Sequence, residues 1–330
     1  MYVVVRRLLI VSLLLNWMAS AIQAATLPDL PTAFINSPPL SKEGLRGKVV
    51  VLYFYEETCP GCRELWPDKI KIANGFKDKP VIFIAINSGN SAGDVSSYMQ
   101  EVKCSWPTIV DTNRSFEKAC GITEPVAIGN TLVVKVVAPT GEMQTATHLN
   151  YHLSVTDKLK TAKWKIDPKA IPDSLKVAWQ FLEIGNYNQA LTLMAASDKK
   201  QVDEQSKAAL ATLKSVILEE FNKVATPAKE AEAAGNAWIA LKGYQIAALQ
   251  FSNLPEAKEL KGKITKLGTD PAVGRELKAA KLWTEAQNAA RSPNAATQKR
   301  AVQQAHQVVK DYPNTEAATA AQAALDTLPK

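Results

Sequence analysis

Apolar residues in this chain come first in short unbroken runs and later in helical stripes, and that change of pattern divides it. Val49–Tyr55 (Val-Val-Val-Leu-Tyr-Phe-Tyr) and Val81–Ile86 (Val-Ile-Phe-Ile-Ala-Ile) are continuous apolar segments. Their length and their β-branched and aromatic content predict strands buried on both faces. Thr108–Val110, ending at Asp111, and Leu132–Val137, turning at Pro139-Thr140-Gly141, read as further strands. Helical patterns lie between and after them: Arg63–Phe76 with an interruption at Pro67, Asp94–Val102, Arg114–Ala119, and His148–Lys165 as the last of the series. Strands alternating with helices predict an α/β unit whose central sheet is covered on both sides. Ala25–Gly47, rich in Pro, Ser and Asn, reads as an extended lead-in.

Beyond Pro168 and Pro172 the strand-like runs stop, and Ala, Lys, Gln and Leu recur at helical spacing. This predicts an all-α domain over residues 173–330, following an α/β domain over 25–167, with Ile166–Pro172 as linker. Residues 1–24 read as a signal peptide: Arg6 and Arg7 precede the apolar Leu8–Leu15, and small residues lead to a cut after Ala24. The apolar run is short for a bilayer span and Asn16 interrupts it; an uncleaved N-terminal anchor is the alternative. Either way the expectation is an exported protein, periplasmic or extracellular, in an oxidising compartment. Contact with a membrane is expected only if the leader stays on. The formal charge of +7 is spread as Lys mixed with Glu and Asp, without a dense basic block, which argues against a nucleic-acid partner.

Chemistry concentrates where the first strand ends, in Glu56-Glu57-Thr58-Cys59-Pro60-Gly61-Cys62-Arg63. Two cysteines at this spacing close a small ring across the first turn of a helix, and thiolate exchange opens and shuts it. Cys59 falls at the helix N-terminus, with Pro60 at the first helical position, where its missing N–H costs nothing. Unsatisfied N–H groups and the positive end of the helix dipole favour a thiolate there. The alternative use of such a pair is half of a zinc site. That would need two more ligands; there is no second Cys-x-x-Cys, and His148, His152 and His306 are remote in sequence. No metal or organic cofactor is implied.

The run Gly47-Lys-Val-Val-Val-Leu-Tyr-Phe-Tyr-x-x-x-Cys59-x-x-Cys62-x-x-x-x-Pro67, with Trp106-Pro107…Asp111 and Pro139-Thr140-Gly141, resembles the thioredoxin-like superfamily. Its exported TlpA-like branch is the nearest pattern, over about residues 40–150. The resemblance implies a thioredoxin-like fold, with a mixed central sheet and flanking helices. It also implies a thiol–disulfide oxidoreductase with Cys59 attacking and Cys62 resolving, protein thiols or disulfides as substrates, and a redox partner protein. Pro60, Gly61, Thr58, Glu57 and Pro125 would form the active-site loops.

Three positions depart from that pattern. Thr58 stands where an aromatic usually precedes the first cysteine. Glu56 and Glu57 lie beside it and disfavour a thiolate, whereas Arg63 favours one, so a modestly acidic, reductant-like Cys59 is expected. The buried proton acceptor of thioredoxin falls at Tyr53, with Glu56 or Glu57 as candidate substitutes. The family's cis-proline position, counted back from Gly141, falls at Leu132; Pro125 could serve if residues 127–131 are an insertion.

A second resemblance, to peroxiredoxins of the bacterioferritin-comigratory type, would make Cys62 peroxidatic. Its supporting Thr is Cys59 here, and its thiolate-holding Arg would fall near Leu132. A third reading keeps the thioredoxin fold only as a non-catalytic binding module.

Cys104 and Cys120 flank a strand–helix unit whose ends return to one another. In an exported protein a structural disulfide is expected, worth roughly 3 kcal/mol; a second redox pair relaying electrons is the alternative. In the helical half, Val177-Ala178-x-x-Phe181-x-x-x-Gly185-x-Tyr187-x-x-Ala190-x-x-x-Met194 resembles a tetratricopeptide repeat, with weaker echoes around Trp238–Ala247 and Ala301–Tyr312. Ala178, Gly185 and Ala190 would let two helices approach. A degenerate array of helical hairpins is therefore expected, serving either as a docking surface for a protein or peptide or as a packed appendage. Trp179, Trp238, Trp283, Tyr312 and His306 are expected in its core.

Overall fold

The structure is a computed structural model that describes residues 25–127, 130, 133–198 and 203–328. The leader expected over residues 1–24 lies outside the described residues. A six-stranded sheet organises the first half. In chain order its elements are β1 (Phe34–Ile35), α1 (Lys42–Leu45), β2 (Val49–Tyr55), α2 (Pro60–Asn74), β3 (Val81–Ser88), α3 (Ala92–Glu101), β4 (Thr108–Asp111), α4 (Ser115–Ala119), β5 (Val134–Val137), β6 (Met143–Ala146) and α5 (Tyr151–Lys158). The strand order is β1-β4-β3-β2-β5-β6. β2, β3 and β4 run parallel, while β1, β5 and β6 join antiparallel, so the sheet is mixed. This is the thioredoxin-like fold expected from the sequence.

All seven residues of β2 are buried. Strand geometry sends successive side chains to opposite faces. Val49, Val51, Tyr53 and Tyr55 therefore pack with Trp66 of α2 and Tyr98 and Met99 of α3, while Val50, Leu52 and Phe54 pack with Phe116 and Ile122 on the other side. Several boundaries differ from the sequence reading. β1 and β6 are short sheet additions at the two edges; Met143-Gln-Thr-Ala146 offers one buried residue and no apolar run, so its pattern is silent. Pro67 does not interrupt α2: a proline inside a helix removes one backbone bond, and the rest of the helix holds through it. The last helix of the unit is shorter than expected because Thr147–Asn150 forms a turn ahead of Tyr151.

No disulfide joins Cys104 and Cys120. The strand–helix return does not bring them together, because the sheet separates them. Cys104 packs with Tyr55, Met99 and Val110 on the α2–α3 face, and Cys120 packs with Phe54, Ile86 and Phe116 on the α4 face. Burial pushes the Cys104 thiol up to about 11 and the Cys120 thiol up to about 12. For Cys120 the approach of Asp111 adds to burial, and Lys135 opposes it.

The second half is helical: α6 (Lys176–Glu183), α7 (Tyr187–Asp198), α8 (Glu204–Ala233), α9 (Ala237–Gln250), α10 (Pro255–Gly268), α11 (Pro271–Ala290), α12 (Ala295–Asp311) and α13 (Glu316–Ala324). One core, including Trp179, Leu213, Phe221, Tyr244 and Phe251, serves α6–α10; a second, around Trp283, Val308 and Ala321, serves α11–α13. Trp238 and Tyr312 are half-buried. His306 is exposed, contrary to expectation, because its neighbours Ala305 and Val308 take the inward face of α12.

The two halves are welded rather than strung on a linker. Ile166 and Ile171 are buried in the helical core, and Trp179 Nε1 donates to the Ile166 carbonyl at 3.1 Å. Lys48, ahead of β2, and Glu183, ending α6, are both completely buried and meet at 3.0 Å. Glu183 also accepts the backbone N–H groups of Lys165 and Ile166, at 3.0 and 2.9 Å. Burial pulls Lys48 below its ordinary value, with Glu183 opposing that shift. Gly185 serves this junction and not the approach of two helices. It sits at φ +80°, with its face against Gly44, and a Cβ on Gly44 would stand 2.3 Å from the Ile184 carbonyl oxygen.

Two outcomes follow from these contacts. Glu183→Ala leaves a buried ammonium unpaired and is expected to lower the unfolding free energy by about 3–5 kcal/mol in urea melts, with Lys48→Met/Glu183→Leu recovering most of it. A loss below about 1 kcal/mol would contradict that weld. For the thiols, the unfolded chain loses protons from about 9.0 upward, while the native chain holds them to about 11 and 12. The native state thus binds more protons across that window, and stability falls as pH rises through it. Native reduced protein at about pH 8 should leave Cys104 and Cys120 unalkylated by iodoacetamide, both reacting once unfolded; mass-spectrometric labelling of either in the native state would oppose this.

Candidate functional site

β2 delivers its last buried residue, Tyr55, to the C-terminal end of the parallel strands, and the chain turns there into α2. The turn is closed locally: Thr58 donates through both its N–H and its hydroxyl to Glu56 Oε1, at 3.2 and 3.0 Å. Cys59 is the N-cap of α2, in extended conformation at φ −82° and ψ 110°, with Pro60 next. Its Sγ accepts the Cys62 N–H at 3.2 Å, and its carbonyl accepts the Arg63 N–H at 3.3 Å. A cap position usually holds an oxygen acceptor; here sulfur takes that place, so negative charge on Sγ is met by a helix N–H and by the dipole. Both cysteines are buried, Cys59 at 7% and Cys62 at 1% exposure. Pro60 and Gly61 are exposed beside them, and a side chain at Gly61 would touch nothing. The approach to the dithiol is therefore over Pro60–Gly61, with Cys59 outermost.

Beneath the dithiol lies an aromatic floor that the motif alone does not reveal. Trp66 follows Cys62 by one helical turn, so the two share the inward face of α2. Its ring meets Tyr53 and Tyr55 at 5.2 Å each and Trp106 at 5.5 Å. Trp66 Nε1 donates to the Tyr98 hydroxyl at 3.0 Å, and Tyr98 stacks on Tyr55 at 5.3 Å. Burial pushes the Tyr98 phenol up to about 12, the Trp66 hydrogen bond opposing it. Tyr53, at the position of the thioredoxin acid, is raised by burial and next by its proximity to Cys62, so it is a neutral phenol near the Cys62 thiol and not a carboxylate base. The two turn carboxylates divide. Glu56 is engaged by Thr58, whereas Glu57 keeps a buried Oε2 without a hydrogen-bond partner and is raised by burial, Asp94 and Glu56. Arg63 lies 5.2 Å over the Tyr98 ring and pairs with Glu101, so its charge is turned toward α3 and shared there.

The remaining expected positions are farther apart. Pro125 is exposed, its preceding bond is trans, and its carbonyl accepts Asn130 Nδ2 at 2.9 Å. The loop around it is pinned through Val126, whose N–H donates to Glu117 and whose carbonyl accepts from Arg114. That loop leads into β5, whose first residue pairs with Tyr53, and so ends at the same edge of the sheet as the dithiol. Leu132, the counted cis-proline position, lies outside the described residues. Asp111 ends β4. It is buried and accepts the backbone N–H groups of Phe116 and Glu117 at 3.1 and 2.8 Å, which sets α4 and through Glu117 the Pro125 loop. Cys104 and Cys120 take no part in the dithiol turn. Among the described residues no His, Cys, Asp and Glu cluster is arranged to hold a metal.

Residues 20–139 match the Redoxin family. The thiol-disulfide oxidoreductase ResA of Bacillus subtilis (strain 168) is 28% identical over 87 residues, which are 26% of this chain and 49% of ResA. The chain thus spans about half the length of that curated relative. Among solved structures, the thioredoxin domain of a thiol-disulfide oxidoreductase from Bacteroides vulgatus is 18% identical, covering 41% of this chain and 96% of that one, with a TM-score of 0.36. A thiol-disulfide isomerase from Corynebacterium glutamicum is 23% identical, covering 42% and 97%, with a TM-score of 0.35. The matched residues take in β1 to β5, the Cys-x-x-Cys turn and α2, and stop before β6 and the helical half; over that stretch the chain is similar to the Redoxin family.

Proposed function

We propose that this protein is a thiol–disulfide oxidoreductase acting on protein disulfides, with Cys59 as attacking and Cys62 as resolving thiol. The observation that carries the reading is the Cys59 Sγ at the N-cap of α2, 3.2 Å from the Cys62 N–H, with Cys62 buried directly behind it. In the reducing direction the Cys59 thiolate attacks one sulfur of a substrate disulfide. A new S–S bond forms to Cys59, and the other substrate sulfur leaves as a thiolate and takes a proton. Cys62 then loses its proton and attacks Cys59 Sγ. The substrate's second thiol leaves, the substrate has gained two electrons, and the protein holds the Cys59–Cys62 disulfide. The reverse sequence oxidises a dithiol.

Cys59 is the outer and Cys62 the inner sulfur, which fits this division of labour. A peroxidatic Cys62 would sit at 1% exposure behind Cys59, with the nearby Arg63 engaged by Glu101 and Tyr98. Within this reading the protein is exported by its leader. Residues 25–167 form the catalytic domain, and the helical hairpins of 173–330, tetratricopeptide-like in their first pair, serve partner docking.

The reading is tested by trapping. Cys62→Ser protein, mixed with a disulfide-bonded substrate protein, is expected to accumulate a mixed disulfide mapped to Cys59 by mass spectrometry, while Cys59→Ser forms none. Absence of an adduct on a Cys59 that alkylates normally would sink the exchange mechanism. Insulin reduction by the wild type with dithiothreitol should fall to background in Cys59→Ser.

A further inference from the structure

We propose that the groove between α2 and α5 docks an acidic, leucine-bearing helix of a partner protein. The inference deepens the oxidoreductase reading by naming the partner's surface, and it relies on that reading only for the partner being a redox substrate or donor.

Leu65, Ile72 and Phe76 line the α2 side of the groove, and Leu149 and His152, at the start of α5, line the other. Leu65 to Ile72 spans about 10 Å, two helical turns, at 1.5 Å per residue. A partner helix with apolar residues at i, i+3 or i+4, and i+7 matches that length. The rim is unusually apolar for a surface: Leu149 is 71% exposed and Leu153, one turn on, is 62% exposed. Leu149 lies in the turn just ahead of α5 and Leu153 in its first turn, and among the described residues nothing covers either side chain. Scattered surface leucines need no explanation, but paired ones beside an apolar groove do.

Charge selects the occupant. Lys69, Lys71 and Lys79 line the groove, and Asp68 is the one acid among the described residues that do so. Lys79 Nζ lies 5.3 Å over the Phe76 ring, placing a cation at the apolar floor. Lys69 is buried beneath, its Nζ 2.6 Å from the His148 carbonyl and 5.6 Å from the Tyr151 ring centroid, so it fixes the start of α5 while adding positive potential. Apolar floor and cationic rim call for a ligand with leucines on one face and carboxylates on its flanks. A second copy of this chain is a poor fit, because its formal charge is +7. The groove starts one helical turn past Cys62, so a helix seated in it leaves its end about 9 Å along α2 from Cys59, within reach of a short following segment.

The test uses the full chain with its dithiol oxidised, so that binding is read apart from exchange. The probe is a fluorescein-labelled helical peptide of leucines at the stated spacing with glutamates elsewhere, followed by fluorescence anisotropy. We expect saturable, salt-weakened binding, about tenfold weaker in Lys71→Glu/Lys79→Glu and in Leu149→Ser/Leu153→Ser. A control with the same charge change on α12, Lys299→Glu/Arg300→Glu, should bind as the wild type does. The proposal is overturned by absence of binding, by equal weakening in the α12 control, or by equal affinity for a peptide with lysine in place of glutamate. Displacement of the peptide by phosphatidylglycerol vesicles, with no loss of vesicle binding in the leucine variant, also overturns it. Reduction of Ellman's reagent by reduced protein should be unchanged in the groove variants. A dithiol inert in that assay, with groove-dependent peptide binding intact, would sink the oxidoreductase reading and leave the groove standing.

Discussion

Burial of β2 on both faces is the constraint on which the rest of this structure depends. A strand with every residue enclosed has no freedom to slip, because a shift by one residue would exchange its two faces, Tyr53 and Tyr55 against Leu52 and Phe54. Its end is therefore fixed in space, and the dithiol begins four residues beyond it. The cap geometry of Cys59 follows from that placement. The chain must leave the sheet edge, turn within Glu56–Thr58, and enter α2 with its first N–H groups facing back toward the strand ends. The cap position of the Cys59 sulfur is thus a by-product of packing: it occupies the place where a helix needs an acceptor.

Polar groups inside the molecule act as rivets. Asp111 gathers the first N–H groups of α4, Glu117 holds the backbone at Val126, and Lys69 ties α2 to the carbonyl of His148. Each is a long or charged side chain enclosed by apolar neighbours, so each is costly unless its partner is in place. Lys48 and Glu183 do the same between the sheet and the helices, where the glycine contact of Gly44 and Gly185 brings the backbones close enough for the ion pair to be sealed from water. The helical half is consequently held in a set orientation to the dithiol edge.

The floor of the site is aromatic where thioredoxin-like chemistry usually places a buried acid. Tyr53, Tyr55, Trp66, Tyr98 and Trp106 form a neutral cluster behind Cys62, and the Arg63 guanidinium over the Tyr98 ring caps it on the α3 side. Such a floor donates hydrogen bonds but accepts no proton at ordinary pH. The carboxyl beside the turn with a buried, unpartnered oxygen is Glu57.

Local events were legible in the order of residues alone. The apolar runs at 49–55 and 81–86 identified buried strands, and the Cys-x-x-Cys with Pro60 located the helix start and the chemistry. The loss of strand patterns after Pro168 marked the helical half. These are readable because periodicity and caps are properties of consecutive residues. Tertiary structure decided whatever depends on which side of the sheet a residue reaches. Cys104 and Cys120 bracket one strand–helix unit yet end on opposite faces, and Gly185 looked like a helix-packing residue but meets Gly44. The polar edge strand Met143–Ala146 exists only because β5 offers it a partner. The aromatic floor and the α2–α5 groove likewise join segments far apart in the chain, and no local pattern records a neighbour that only folding supplies.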